Sequence, residues 1–289
     1  MMHADELLTS FAFGGGSGGP APSGTKEVSI TQNGTTTEDV AEYASAEITV
    51  NVPQTNKEAE ILQHTINGSY TNASVLNLPT YALFRCKNVE ELHLPNCEAV
   101  QSYAVQMQSN DASVMRVLDL PKATQIGQQG FIYCGSGLAS GVGLTLNLPK
   151  VDTISSSAFA NSGAGPTLTL PACKSVGYSA FSSNAKLETV DLAYDGSGSN
   201  LSIEAAAWNS CSSLTALIIR QERVATLANV SALTGTPIAS GTGYIYVPDS
   251  QKASYQAAAK WSTYSAQFRS LEDYTVDGTI TGALDPTKI

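Results

Sequence analysis

Charge is scarce in this chain of 289 residues: Asp, Glu, Lys and Arg together make up 14%, well below the usual quarter. Bases are scarcer than acids, 15 against 25, which leaves a formal net charge of −10. So few Lys and Arg, with no basic patch, argue against nucleic acid or an anionic membrane as partner, because phosphate binding needs clustered cations. No apolar run is long enough to span a bilayer, so no membrane insertion is expected. Histidine is limited to His3, His64 and His93, and the five cysteines (Cys86, Cys97, Cys134, Cys173, Cys211) form neither a C-x-x-C pair nor metal-ligand spacing with them. No Ser-His-Asp or Cys-His arrangement is suggested. No catalytic residue, cofactor or metal site is therefore expected.

What the chain does contain is repetition. Leu146-Asn-Leu148-Pro, Ile154 and Ala158-Phe159 are followed by Leu168-Thr-Leu170-Pro, Val176 and Ala180-Phe181, a period of about 22 residues that marks a repeat solenoid. Each unit opens on an apolar residue, with a small residue four positions later, a bulky apolar one at five and often Cys at eight. Six sets follow this rule: Leu78/Ala82/Leu83/Cys86, Val100/Ala104/Val105, Ile126/Gly130/Phe131/Cys134, Ile154/Ala158/Phe159, Val176/Ala180/Phe181 and Ile203/Ala207/Trp208/Cys211. Gln108, Ser162 and Asn184 stand where Cys would. The shared columns predict small buried thiols filling a core, and such thiols imply folding in a reducing compartment. One coil alone cannot offset the entropy of ordering about 22 residues at roughly 1 to 2 kcal/mol each, so the coils must stack and the stack must be capped.

The rest of the chain divides around this array. Residues 1–13 lack the basic start and apolar core of a secretory signal, Gly14 to Gly24 has the composition of a flexible linker, and Leu7, Leu8, Phe11 and Phe13 suit a docking peptide. Residues 25–58 predict a small β unit, one strand through Val28 and Ile30 and another through Ile48, Val50 and Val52, with the intervening TTTEDVAEYAS as connection. The solenoid is expected over 59–248, with strands at Ile61 to Ile66, Val89 to Leu94, Met115 to Leu120, Gly143 to Leu148, Thr167 to Leu170, Leu187 to Leu192, Leu214 to Ile219 and Tyr244 to Val247. Residues 249–272 predict a capping helix with Asp249 or Ser250 as N-cap and Trp261 as a lid. A tail fills 273–289.

Two resemblances follow from these residues. ITQNGTTTEDVAEYASAEITVNV is similar to a segment common in structural proteins encoded by bacteriophages and prophages of gut bacteria. The unit carried by LETVDL, ISSSAF, GQQGFIYCGSGL and EAAAWNSCSSL, together with YIYVPDSQKASYQAAAKWSTYSAQFRSL, resembles the BspA-like leucine-rich repeat family over residues 61–272. That resemblance implies a leucine-rich-repeat solenoid, mainly β strands plus irregular or 3-10 turns, with a small N-terminal β unit and a C-terminal capping helix. It also implies protein or surface binding without enzymatic activity.

Strand alternation then nominates the binding face. If Leu92 and Leu94 point inward, Glu91 and His93 point outward, and the same register exposes Val117, Asp119, Thr145, Asn147, Thr167, Thr169, Thr189 and Asp191. The ridge of loops competes with this ribbon as a site. The expected role is that of a bacteriophage virion component (tail, baseplate or fibre) whose repeats contact a host cell-surface protein or glycan, with Leu7, Leu8, Phe11 and Phe13 binding other virion proteins and homo-oligomerisation left open. A bacterial cell-surface adhesin is the alternative. A glycan depolymerase is remote, because paired glycosidase carboxylates stand roughly 5 to 9.5 Å apart and Asp119 and Asp191 lie three strand positions apart.

Overall fold

The computed structural model describes residues 25–32, 35–42, 66–194, 198–276 and 279–280, with side chains over 66–194 and 198–274. The chain forms two compact units, 1–48 and 49–289. In the first, β1 (Thr25–Gln32) and β2 (Thr35–Glu42) form an antiparallel pair running from Thr25 opposite Glu42 to Gln32 opposite Thr35. The second strand therefore begins at Thr35, with two residues between it and the first, inside the segment expected to be a connection. Asn-Gly is the strongest two-residue hairpin signal, and the Thr run that follows suits a strand. Ile48, Val50 and Val52 lie outside the described residues.

The second unit is a stack of β coils with two faces. Long strands make one face: β3 (Gly68–Thr71), β5 (Val89–His93), β7 (Val117–Asp119) and β9 (Thr145–Asn147) in a four-stranded parallel sheet, then β11 (Thr167–Thr169), β13 (Thr189–Leu192), β15 (Ala216–Ile219), β17 (Tyr244–Val247) and β18 (Phe268–Ser270) in a five-stranded one. The first described strand of this unit is thus 68–71. Ile61 to Thr65, with His64, lie outside the described residues, and Ile66 is buried in irregular backbone. Proline follows several long strands because it has no N–H to give; the corner closes instead through Cys97, Ala123 and Val151, whose N–H groups donate to Leu94, Leu120 and Leu148.

The other face was not foreseen. The residues that open each repeat unit are themselves strands, two residues long: β4 (Asn77–Leu78), β6 (Ala99–Val100), β8 (Gln125–Ile126), β10 (Thr153–Ile154), β12 (Ser175–Val176), β14 (Ser202–Ile203) and β16 (Thr226–Leu227). They pair in order as one seven-stranded parallel sheet. The seventh, at Leu227, belongs to a coil outside the six sequence sets, where Ala232 accepts from Trp208 N–H as Ala207 does from Phe181 N–H.

From five of the seven short strands the chain turns back through a segment with two left-handed residues, three and seven positions after the opener; the turn after β6 has only the first and the turn after β16 has neither. Tyr81, Tyr103, Gln129, Ser157, Ser179 and Ala206 hold the first position, and Arg85, Tyr133, Asn161, Ser183 and Ser210 the second, all with φ between 52° and 62°. This conformation turns alternate N–H groups toward the next coil. Leu83, Val105, Phe131 and Phe159 donate to Ala104, Gly130, Ala158 and Ala180 at 2.8 to 2.9 Å. The turns are therefore laddered as fully as a sheet, which satisfies the backbone groups they bury. Beneath them the bulky column stacks ring on ring: Phe131, Phe159, Phe181 and Trp208 lie with planes 6° to 7° apart and neighbouring centroids 5.3 to 6.5 Å apart.

The Cys column does more than fill space. Cys134 and Cys211 donate to the carbonyls of Val105 and Phe181 in the preceding coil, at 3.2 and 3.1 Å. Asn184 does the same to Phe159 at 2.8 Å, donates to Phe181 at 2.7 Å, and accepts from Ser162 Oγ and Ala164 N–H. Gln108 is exposed instead, and the loop it opens buries Asp111, whose side chain is 2% exposed and forked by Arg85.

One seam interrupts the long-strand face. No ladder joins β9 to β11 among the described residues; a single bridge pairs Leu144 with Ala164, two residues short of the spacing that separates Leu148 from Leu170. A Cβ on Gly143 would run into the Gly165 carbonyl, and Gly165 has φ +144°, so glycine permits this close approach. Lys186 Nζ anchors the inserted loop beside it by donating to the carbonyls of Leu138, Ala139 and Val142. At the seam Leu146 is only half-buried, whereas Leu92, Leu118, Leu168 and Val190 in its column are fully buried.

At the C-terminal end, helix Asp249–Ala257 has Pro248 at its N-cap and no side-chain capping bond; Ser250 donates to Glu222 instead. The helix then breaks. Ala258 is extended, Lys260 has φ +67°, and a 3-10 helix spans Trp261–Gln267. Trp261 Nε1 donates to Ala225 O at 2.7 Å, while Tyr255 Oη accepts from Ala225 N–H and donates to Arg223 O. The last short strand thus has its flanking backbone satisfied by aromatic side chains rather than by a further coil.

Candidate binding face

The outward side chains of the long strands fall into three stretches. In the first, over β5, β7 and β9, the polar groups bond one another in a line. Arg116 pairs with Oε1 of Glu91, Glu91 Oε2 lies 3.2 Å from His93 Nε2, His93 Nδ1 lies 3.3 Å from Asp119 Oδ2, and Asp119 Oδ1 accepts from Asn147 Nδ2 at 2.6 Å. The His93 hydrogen bond is the largest influence holding the Glu91 carboxyl below its usual value, with Arg116 adding to it. Arg116 also reaches Glu90 at 3.5 Å. It was missed in the sequence because alternation through Met115 to Leu120 puts position 116 on the inward side, whereas the residue precedes the paired strand and arrives by its length.

In the second stretch Thr145, Thr167, Thr169 and Thr189 make no side-chain hydrogen bond among the described residues, and all but Thr189 are exposed. Their hydroxyls offer both donor and acceptor capacity to a ligand. Val117 is half-buried between the two stretches. Asp191, the last of the ten nominated residues, is a poorer contact point: Arg220 forks it through Nε and Nη2 at 2.8 to 3.2 Å, and the two side chains are only 14% and 9% exposed.

Beyond Asp191 the outward positions become apolar. Ala216 and Ile218 are buried although they stand in register with Thr189 and Asp191. Next to them Tyr244 and Tyr246 are half-buried, Arg269 lies 4.2 Å over the Tyr244 ring, and Tyr274 meets Tyr246 edge-on at 4.8 Å. Alternation through Tyr244 to Val247 puts these tyrosines on the outward side; the cover over Ile218 has no such signal. Ser69 and Thr71 were missed because no strand is expected from the sequence at Gly68–Thr71.

The competing ridge carries a stacked pair, Tyr81 and Tyr103, with Phe84 edge-on to Tyr81. Both tyrosines occupy left-handed positions that Gln, Ser or Ala fill in later coils. The five cysteines are buried, and burial pushes Cys86, Cys173 and Cys211 up to about 12, so these thiols stay protonated near neutral pH. Among the described residues no group of three or more His, Cys, Asp or Glu is arranged to hold a metal ion, and no helix is long and apolar enough to cross a membrane.

Against known proteins, residues 142–242 match the family model of the BspA type Leucine rich repeat region, in six copies. The chain matches no curated protein. The matched stretch is shorter than the resemblance read from the columns, yet the same short strand and left-handed turn recur back to Leu78 and Tyr81. A match of this kind supports a repeat protein of the binding or adhesion type.

Proposed function

We propose that this is a non-enzymatic binding and structural protein whose long-strand face contacts a host cell-surface protein or glycan, as a component of a bacteriophage virion in its tail, baseplate or fibre. The supporting observation is the outward face itself. Its charges are paired with one another, its threonine hydroxyls make no side-chain hydrogen bond among the described residues, and it stands on a core of buried side chains and laddered turns. On this reading residues 1–24 attach the protein, through Leu7, Leu8, Phe11 and Phe13, to other virion proteins; 25–58 form a small β unit; 59–248 are the solenoid; 249–272 cap it; and 273–289 are a tail. The working location is the virion, after synthesis in the bacterial cytoplasm.

The adhesin reading keeps the same face and places it on a bacterial cell surface; the repeat match favours it equally. The depolymerase reading has less support, because the two carboxylates that bracket His93 have the imidazole between them, where a glycosidic bond would have to sit. Immunogold electron microscopy of induced lysates, with antibody against residues 61–272, separates the first two. Gold on particle tails is the expected result. Gold confined to cell envelopes overturns the virion reading in favour of the adhesin. For cell binding, Thr167→Ala with Thr169→Ala is the informative variant, since Asp191→Ala would strand Arg220.

A further inference from the structure

Resting on the reading of the long-strand face as a binding surface, we infer that His93 is a protonation latch in its first stretch. With both ring nitrogens protonated, the imidazolium ties Glu91 to Asp119; loss of one proton frees one of these carboxylates. The argument is geometric. Each ring nitrogen faces a carboxylate oxygen, at 3.2 and 3.3 Å. A carboxylate only accepts, and a neutral imidazole has one N–H and one lone pair. Both contacts are hydrogen bonds only when both nitrogens carry protons.

Charge along the line gives the same answer. Glu91 spends its other oxygen on Arg116, and Asp119 spends its other oxygen on Asn147. With an imidazolium the order is cation, anion, cation, anion, amide, and each neighbour attracts the next. With a neutral ring two anions face it with one proton between them. Among the described residues no other charged group intervenes: Thr71 of β3 stands opposite His93 in register, Asp119 is on β7, Glu91 is on the same strand with Arg116 and Glu90 behind it, and Asn147 of β9 lies behind Asp119. The three side chains are 24 to 29% exposed, so solvent can supply and remove the proton. The set of donors and acceptors offered to a partner thus differs on the two sides of the His93 titration.

The test is nitrogen NMR of the histidine rings in the full-length protein from about pH 5 to 8, the range in which histidine ordinarily titrates, with His93→Asn identifying the signal. Both His93 nitrogens are expected to be protonated below the midpoint, with one tautomer above it. Glu91→Gln and Asp119→Asn should each shift the low-pH resonance of the ring nitrogen that faces the altered carboxylate, Nε2 in the first variant and Nδ1 in the second. An unchanged resonance in either variant overturns the latch, since it requires both contacts. That failure is independent of the binding reading, which fails instead if the threonine variant leaves cell binding intact.

Discussion

The two faces of the solenoid obey different rules. On the short-strand side and along the turns the coils repeat almost without interruption: seven strands in one sheet, left-handed residues at fixed positions, and a ring column from Phe131 to Trp208. On the long-strand side the sheet is broken between β9 and β11, and its outward residues run from charged through hydroxyl to aromatic. The difference indicates that stacking is secured from the turn side. That leaves the long-strand side free to vary in sequence and to tolerate a seam, as a surface used for recognition needs.

The sharpest way to break this contrast is at its centre. Phe159→Ala removes a fully buried ring stacked on both neighbours and is expected to cost about 3 to 5 kcal/mol in denaturant unfolding. Leu146→Ala, at the half-buried seam position, should cost markedly less than Leu168→Ala in the same column. Equal losses for the two leucines would mean that the seam does not loosen packing on the long-strand face.

A somewhat smaller loss is expected for Asn184→Ala. It strands Ser162 Oγ and Ala164 N–H, each a buried group that costs about 1 to 3 kcal/mol if it stays unmet, and removes one donor each from the carbonyls of Phe159 and Phe181, which keep Ser162 N–H and Cys211 Sγ. Asn184→Ser, which keeps a donor, should recover part of the midpoint.

The Arg85–Asp111 pair adds a pH signature. Burial works to raise the Asp111 carboxyl, but hydrogen bonds from Arg85 and Gln108 N–H, with the charges of Arg85 and Lys87, outweigh it and hold the group below its usual value. A carboxyl lowered on folding contributes stability that is complete above its unfolded value, near 3.9, and is lost as pH falls through the lower folded value. Acid unfolding below about pH 4 should therefore be steeper in wild type than in Asp111→Asn. Arg85→Ala should cost about 2 kcal/mol at neutral pH by leaving a buried charge unpaired, reduced from the fully buried case because Arg85 is partly exposed.

The smallest effect is read by hydrogen exchange. Leu120 and Leu170 N–H donate across the long-strand face to Asn147 and Asp191. Leu148 faces the seam, so its amide should exchange faster than either. Similar protection at all three positions would mean that the seam is closed in solution.

Much of this was legible beforehand because the repeat samples the same environment several times. Within the described strands the Leu-x-Leu pattern located six of the long strands to within two residues, and alternation placed Glu91 through Asp191 outward. The openers, such as Ile126 and Ile154, were recognised as buried but not as strands, since two residues give no alternation to detect. The left-handed positions were invisible because Tyr, Gln, Ser and Ala fill one column, and no side-chain chemistry announces the conformation. The Asp249 to Leu271 stretch misled through its helical spacing: Tyr255 and Trp261 are both buried, yet a break separates them, and each bonds the backbone of the last coil.

The chain's composition and periodicity by themselves determined a stacked β architecture, a core of thiols and aromatic rings, and a low-charge surface, because each depends only on residues recurring at fixed intervals. Tertiary structure alone decided which charges pair, that Asp191 is held by Arg220 while the threonines stay unengaged, that Asp111 is buried, and that the long-strand sheet opens at Leu146. Those outcomes depend on side chains about one coil apart in sequence meeting across a spacing of about 4.8 Å. Which pairs meet is set by backbone register, and two residues of slip between Leu144 and Ala164 were enough to change it.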